Sequence, residues 1–168
     1  MPQAAKTQAA EISIVSGYFN PLHVGHLDMM HSARALTGFL LVIVNNDAQQ
    51  IGKKGKVIQE AADRLRIVRE LRVTDEAIEA IDSDQTVRAT LALIRERYPD
   101  ARLIFANGGD RSERSAVAEA EVCEELGIEL HFGVGGESKA DSSSRINAAL
   151  GAEISSLGAA LNAALGAA

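Results

Sequence analysis

Apolar and polar positions alternate with two different periods along the chain, and each period predicts an element. Ile12-Ser13-Ile14-Val15 is a short apolar run that predicts a strand over 11–16. Residues 24–37 read as a helix with Leu27, Met30 and Ala33 on one side, ended by Gly38. Phe39 to Val44 is apolar without a break, as in a strand covered on both faces of a parallel sheet, and it stops at the turn residues Asn45-Asn46-Asp47. Gly52-Lys53-Lys54-Gly55-Lys56 is expected to be a basic loop, followed by a helix from about Glu60 to Leu71 and a weaker strand over Ala77–Ile81. From about Asp84 to Tyr98 a helix is expected, because Val87, Leu91, Ile94 and Tyr98 fall on one stripe and Pro99 closes it. Leu103–Ala106 predicts a fourth strand, and Asn107-Gly108-Gly109-Asp110 turns out of it. Residues 113–126 align Ala118, Val122 and Leu126 as a helix capped by Gly127; a fifth strand follows over Ile128–Phe132.

Strands separated by helices of this length predict right-handed crossovers, so the expected fold class is α/β. It is a five-stranded parallel sheet with helices on both faces, plus a C-terminal helix. In such sheets ligands bind at the carboxyl ends of the strands, near the switch point, where the stretches 17–26, 52–56 and 107–111 are expected to gather. The division expected is a lead at 1–10, a domain over 11–150 and an Ala/Leu-rich helix over 151–168. Ile154, Leu157, Leu161 and Leu165 would form a stripe packed on this domain or on another subunit.

The 168 residues suit one domain with a real core, and 46% hydrophobic residues fit a globular chain. A net charge of -6 argues against a nucleic-acid partner, which would call for a basic face. Cys123 is the single cysteine, so no internal disulfide forms, structural zinc is disfavoured, and a cytoplasmic location is expected. No apolar run is long enough to span a membrane, and the first ten residues lack a signal-peptide core.

The chemistry concentrates at Gly17-Tyr18-Phe19-Asn20-Pro21-Leu22-His23-Val24-Gly25-His26, a tight turn between the first strand and the first helix. Free backbone N–H groups, a helix dipole and two imidazoles in one place make an anion site suited to phosphate. Zinc is disfavoured there, since no cysteine is near and only His31 offers a third ligand. Gly17 would let backbone approach a ligand, Phe19 reads as core, and Asn20 would bond either the turn or a phosphate. A second anion site is read in Lys139-Ala140-Asp141-Ser142-Ser143-Ser144-Arg145, where serines precede a helix start and a Lys and an Arg flank them.

The pattern G-x-F-N-P-x-H-x-G-H resembles the HxGH signature of the nucleotidyltransferase superfamily, and the resemblance covers most of positions 11–147. The family often has Asp where this chain has Asn20. The resemblance implies a Rossmann-like fold and transfer of a nucleotidyl group from CTP or ATP to a phosphorylated small molecule, with pyrophosphate released. His23 and His26 would stabilise the transition state, with Gly17, Tyr18, Phe19, Asn20 and Gly25 forming the nucleotide side of the turn. In members similar to glycerol-3-phosphate cytidylyltransferase, a Lys-bearing loop precedes a helix with an Arg and then a Val/Thr-Asp-Glu step. Lys53, Lys54 and Lys56, then Arg64, then Thr74-Asp75-Glu76 match that order. One of Lys53 and Lys54 would then act on the transferred phosphate or the acceptor's phosphate; Arg64 would bind substrate or be a surface residue. Gly108, Gly109, Asp110 and Arg111 match the nucleotide pocket, and Ser142, Ser143, Ser144 and Arg145 match the cap that grips the β- and γ-phosphates. Magnesium is expected to arrive with the nucleotide.

The resemblance therefore implies an enzyme whose partners are an NTP and a phosphorylated acceptor, without nucleic acid or membrane, as a homodimer or higher homo-oligomer. CTP with a phospho-alcohol such as glycerol 3-phosphate comes first; ATP with a sugar phosphate such as a heptose 1-phosphate is the alternative. A non-catalytic nucleotide-binding module is a second class. A fragment of an aminoacyl-tRNA synthetase is disfavoured by length and charge.

Overall fold

The computed structural model of the protein describes residues 9–108, 113–136 and 142–151. Its elements run β1 (Glu11–Gly17), α1 (Val24–Thr37), β2 (Leu40–Val44), α2 (Asp47–Lys54), α3 (Ala61–Arg69), β3 (Glu76–Glu79), α4 (Arg88–Arg97), β4 (Arg102–Gly108), α5 (Glu113–Leu126) and β5 (Ile128–Val134). A further helix, α6, spans 143–151. The five strands form one sheet in the order β3-β2-β1-β4-β5. Every pair is parallel, with Val15 beside Val42 and Ile14 beside Phe105 at the centre.

Side-chain alternation on the strands splits the core into two layers. Ile12, Ile14, Leu41, Ile43, Leu103 and Phe105 pack with Leu91 and Ile94 of α4 and Val122 and Cys123 of α5. Val15, Leu40, Val42, Val44 and Ala106 pack with Met30 and Ala33 of α1 and Val68 of α3. All five residues of β2 are buried, as expected for a strand covered on both faces. The fold class read from the sequence is therefore the one found. No helix among the described residues is long and apolar enough to cross a membrane.

Several boundaries differ from the sequence reading: β4 and β5 each run two residues further than expected, to Gly108 and Val134, because Gly108 and Val134 pair with each other. Lys53 and Lys54 do not lie in a loop but in the last turn of α2, closed by Gly55 with a left-handed backbone (φ 75°). The residues read as a turn start that helix instead: Asn46 caps it, its side chain accepting from Gln49 N while Gln49 reaches back to Asn46 N. Helix α4 begins at Arg88 rather than near Asp84. Asp84 holds Thr86 N in a local turn (2.8 Å), and Asp82 caps the helix by accepting from Ala89 N (2.7 Å) and Thr90 N (3.1 Å). β3 ends two residues early, at Glu79. Residues 1–8 of the expected lead and 152–168 of the expected C-terminal helix lie outside the described residues.

Candidate active site

At the carboxyl end of β1 the chain reverses through Phe19, in left-handed backbone (φ 52°), and a cis Asn20–Pro21 peptide. The reversal drives the Phe19 ring and the Asn20 side chain inward, leaving them 2% and 0% exposed. Gly17 makes this possible: a Cβ there would stand 2.7 Å from Phe19 Cζ. The space that glycine opens is filled by Phe19 itself, where the sequence reading gave it to a ligand. Asn20 Nδ2 donates to Gln50 Oε1 of α2 (2.8 Å), a bond across elements that is neither of its two expected roles, the turn or a phosphate.

Helix α1 begins with the histidines as its own cap. His23, in extended backbone, accepts from Gly25 N at Nδ1 (3.1 Å), and His26 Nδ1 accepts from His23 N (3.3 Å). A ring nitrogen that accepts carries no proton, so in this geometry Nε2 is the nitrogen of each ring left to donate. The rings stack with centroids 3.8 Å apart, and Phe19 meets His26 edge-on at 4.9 Å. Burial, then the neighbouring His23, pulls the His26 pKa down to about 4, so this imidazole is neutral at pH 7. The first turn of α1 has no acidic residue to neutralise the positive end of the helix.

The start of α6 is seated on the same turn. Ser143 Oγ donates to Pro21 O (2.8 Å) and Asn147 Nδ2 donates to Asn20 O (3.1 Å). Ser142 caps the helix by accepting from Arg145 N (3.1 Å), while Ser144 and Arg145 are exposed. Two helix N-termini thus stand side by side, and together they can hold an extended polyanion.

Lys53 reaches the turn from α2, its Nζ 4.7 Å from the centroid of the Tyr18 ring. Tyr18 in turn donates through its hydroxyl to Gln85 Oε1 (2.9 Å). Lys54 closes α2 and Lys56 lies past its cap. Gly108 ends β4, where a Cβ would press on Met29 Sδ of α1 at 3.2 Å. Gly109, Asp110, Arg111 and Lys139 lie outside the described residues. Arg64 is neither a surface residue nor presented to a ligand: it is 1% exposed, with its guanidinium turned into the protein. Sequence reasoning overlooked Gln50, Gln85 and Asn147. The Asn46-x-x-Gln49 capping signature would have revealed α2, and with it Gln50.

The profile of the cytidylyltransferase-like family matches residues 14–146. The bifunctional protein HldE of Streptomyces coelicolor is 36% identical over 111 residues, 64% of this chain and 22% of its own length. The FAD synthase of Pyrococcus abyssi is 32% identical over 99 residues, 58% of this chain and 62% of its own. The chain thus spans about a fifth of the first relative's length and three fifths of the second's. A lipopolysaccharide core biosynthesis protein from Thermoplasma volcanium shares the fold at TM-score 0.58 and 24% identity, over 73% of this chain and 93% of that one. With paired imidazoles capping α1, a second cap docked on the same turn and a family profile matching from β1 to α6, the chain belongs to the cytidylyltransferase-like family.

Proposed function

We propose that this protein transfers a nucleotidyl group from an NTP to a phosphorylated small molecule and releases pyrophosphate. The observation that carries the proposal is the seating of the Ser142-capped helix on the turn that bears His23 and His26. An oxygen of the acceptor phosphate attacks the α-phosphorus, and the bond from that phosphorus to the β-bridging oxygen breaks. The acceptor oxygen is already ionised at neutral pH, so alignment and charge stabilisation are what the protein must supply. His23 and His26 donate through Nε2–H to the α- and β-phosphate oxygens. A neutral His26 serves as a fixed donor there, rather than as an acid that must first be charged. The start of α6, with Ser142 to Arg145, holds the departing pyrophosphate, and Lys53 meets the transferred or the acceptor phosphate. Magnesium supplies charge neutralisation on the triphosphate. Among the described residues no group of three or more His, Cys, Asp or Glu stands together as a cage, and a magnesium ion that arrives on the triphosphate would need few protein ligands, since it keeps several waters.

ATP is the donor favoured, because similarity to an FAD synthase points to a product that carries an adenylyl group. The acceptor is then a sugar phosphate or a similar phosphorylated small molecule. This reverses the order of the sequence reading, which put CTP and glycerol 3-phosphate first; the name of the matching family keeps that pair as the second reading. Pyrophosphate release should be measured with ATP, CTP, GTP and UTP against a panel of phosphorylated acceptors. Turnover with one donor–acceptor pair is expected. Tight binding of a triphosphate without turnover by any pair would make the protein a nucleotide-binding module instead.

A further inference from the structure

Arg64 is a physical anomaly. Its neighbours on α3, Asp63, Arg66 and Ile67, are exposed, yet it is among the largest fully buried side chains of the protein. A guanidinium taken out of water must have its N–H groups bonded, or burial is strongly unfavourable. Arg64 Nε donates to Gln59 O (2.8 Å), Nη1 to Tyr18 O (2.9 Å) and Asn45 O (2.6 Å), and Nη2 to Asp47 Oδ1 (2.9 Å). None of these acceptors belongs to α3. They lie in the turn after β1, at the junction of β2 and α2, and in the lead into α3.

The same atoms continue into a network. Asp47 Oδ1 also accepts from Ala61 N (2.9 Å) and Gln50 Nε2 (3.2 Å). Gln50 Oε1 accepts from Ile58 N (2.7 Å) and from Asn20 Nδ2 (2.8 Å). The turn that carries the imidazoles is thus bonded, through Tyr18 and Asn20, to both ends of the segment 47–61, and that segment carries Lys53, Lys54 and Lys56. The geometry points to Arg64 as a positioning residue that fixes the lysine-bearing segment against the imidazole-bearing turn. It does so from inside the protein, in place of the substrate contact the sequence suggested, and the inference rests on the nucleotidyl transfer proposed above.

Arg64→Lys keeps the charge but loses the fork that spans three segments. Arg69→Ala is the comparison: Arg69 also lies on α3 and clamps a carbonyl, Ala77 O at 3.1 and 3.2 Å, away from the turn. At a temperature where circular dichroism shows both variants folded, Arg64→Lys should lower kcat about 100-fold, the scale of a one-ångström misplacement. Arg69→Ala should lose stability and keep the wild-type kcat. Wild-type kcat in Arg64→Lys, or an equal loss in Arg69→Ala, overturns the inference. A second readout needs no turnover. The Tyr18 ring should shift the Lys53 ε-methylene proton resonances upfield in the wild type, and Arg64→Lys should return them to the range of exposed lysines. If the wild type shows no turnover, the proposed function fails, while this resonance still decides the role of Arg64; an unchanged resonance overturns it. Should Arg64→Lys not fold, Asp47→Ala removes the partly exposed anchor of the same network and carries both readouts, with about a tenfold fall in kcat expected.

Discussion

Gly17→Ala offers a direct way to disturb the imidazole pair without touching it. The added Cβ would meet Phe19 Cζ at 2.7 Å, Cε1 at 2.9 Å and Cε2 at 3.2 Å. Carbon atoms settle about 3.5–4.0 Å apart, so the tip of the ring must retreat by about 1 Å. It has little room to do so, being 2% exposed and packed with Val15, Met30, Val44 and Ala106. Overpacking of this kind costs about 1–3 kcal/mol. The ring also supports His26 edge-on at 4.9 Å, so the displacement passes to the imidazole that is to face phosphate. A shift of that size at a reacting geometry lowers kcat by up to about 100-fold. Gly38→Ala is the control. Gly38 sits in left-handed backbone (φ 82°) with open space around it, so alanine there adds about 1–2 kcal/mol of strain and moves no ring. Urea unfolding should show both variants destabilised, and steady-state pyrophosphate release should show only Gly17→Ala impaired. Equal kcat in the two variants would refute the route from Gly17 through Phe19 to His26.

His26→Ala should lower kcat by a factor of about 10²–10³ with the fold retained, as expected for loss of one preorganised donor, by the same assay. The pH dependence of stability carries a second signature. With its folded pKa near 4 against 6.5 when unfolded, His26 takes up a proton in the unfolded chain first. Its contribution is therefore complete above pH 6.5 and lost as pH falls towards 4. Between pH 6.5 and 5 that amounts to about 1.6 kcal/mol, so the unfolding free energy from urea titrations should fall by about this much more in the wild type than in His26→Gln over that range. Asn147→Ala removes one of the two bonds that seat α6; it should weaken NTP binding severalfold in calorimetry while leaving the unfolding midpoint of the sheet nearly unchanged.

The sheet was legible because hydrophobic burial writes itself into sequence period. The unbroken run from Leu40 to Val44 and the stripe of Leu91 and Ile94 could serve no other purpose than a core. The imidazole turn was legible for a chemical reason, since two histidines around a glycine between a strand and a helix concentrate donors. Helix α2 was hidden because Asn45-Asn46-Asp47 suits a turn and a helix cap equally, and Gly52 and Gly55 suggested a loop. Arg64 was hidden for a deeper reason. Its sequence surroundings are those of a solvated helix face, and only the approach of Tyr18 O and Asn45 O from distant segments makes burial of its charge tolerable. The roles of Ser143 and Asn147 depend on where α6 docks, which local pattern does not specify.

The most direct measurement is a crystal structure of the protein with a slowly hydrolysed NTP analogue and magnesium. One triphosphate should lie across the turn, its α- and β-phosphates within hydrogen-bond distance of His23 and His26 Nε2 and its β- and γ-phosphates at residues 142–145. A triphosphate bound at only one of these two helix starts, or away from both, would contradict the shared site.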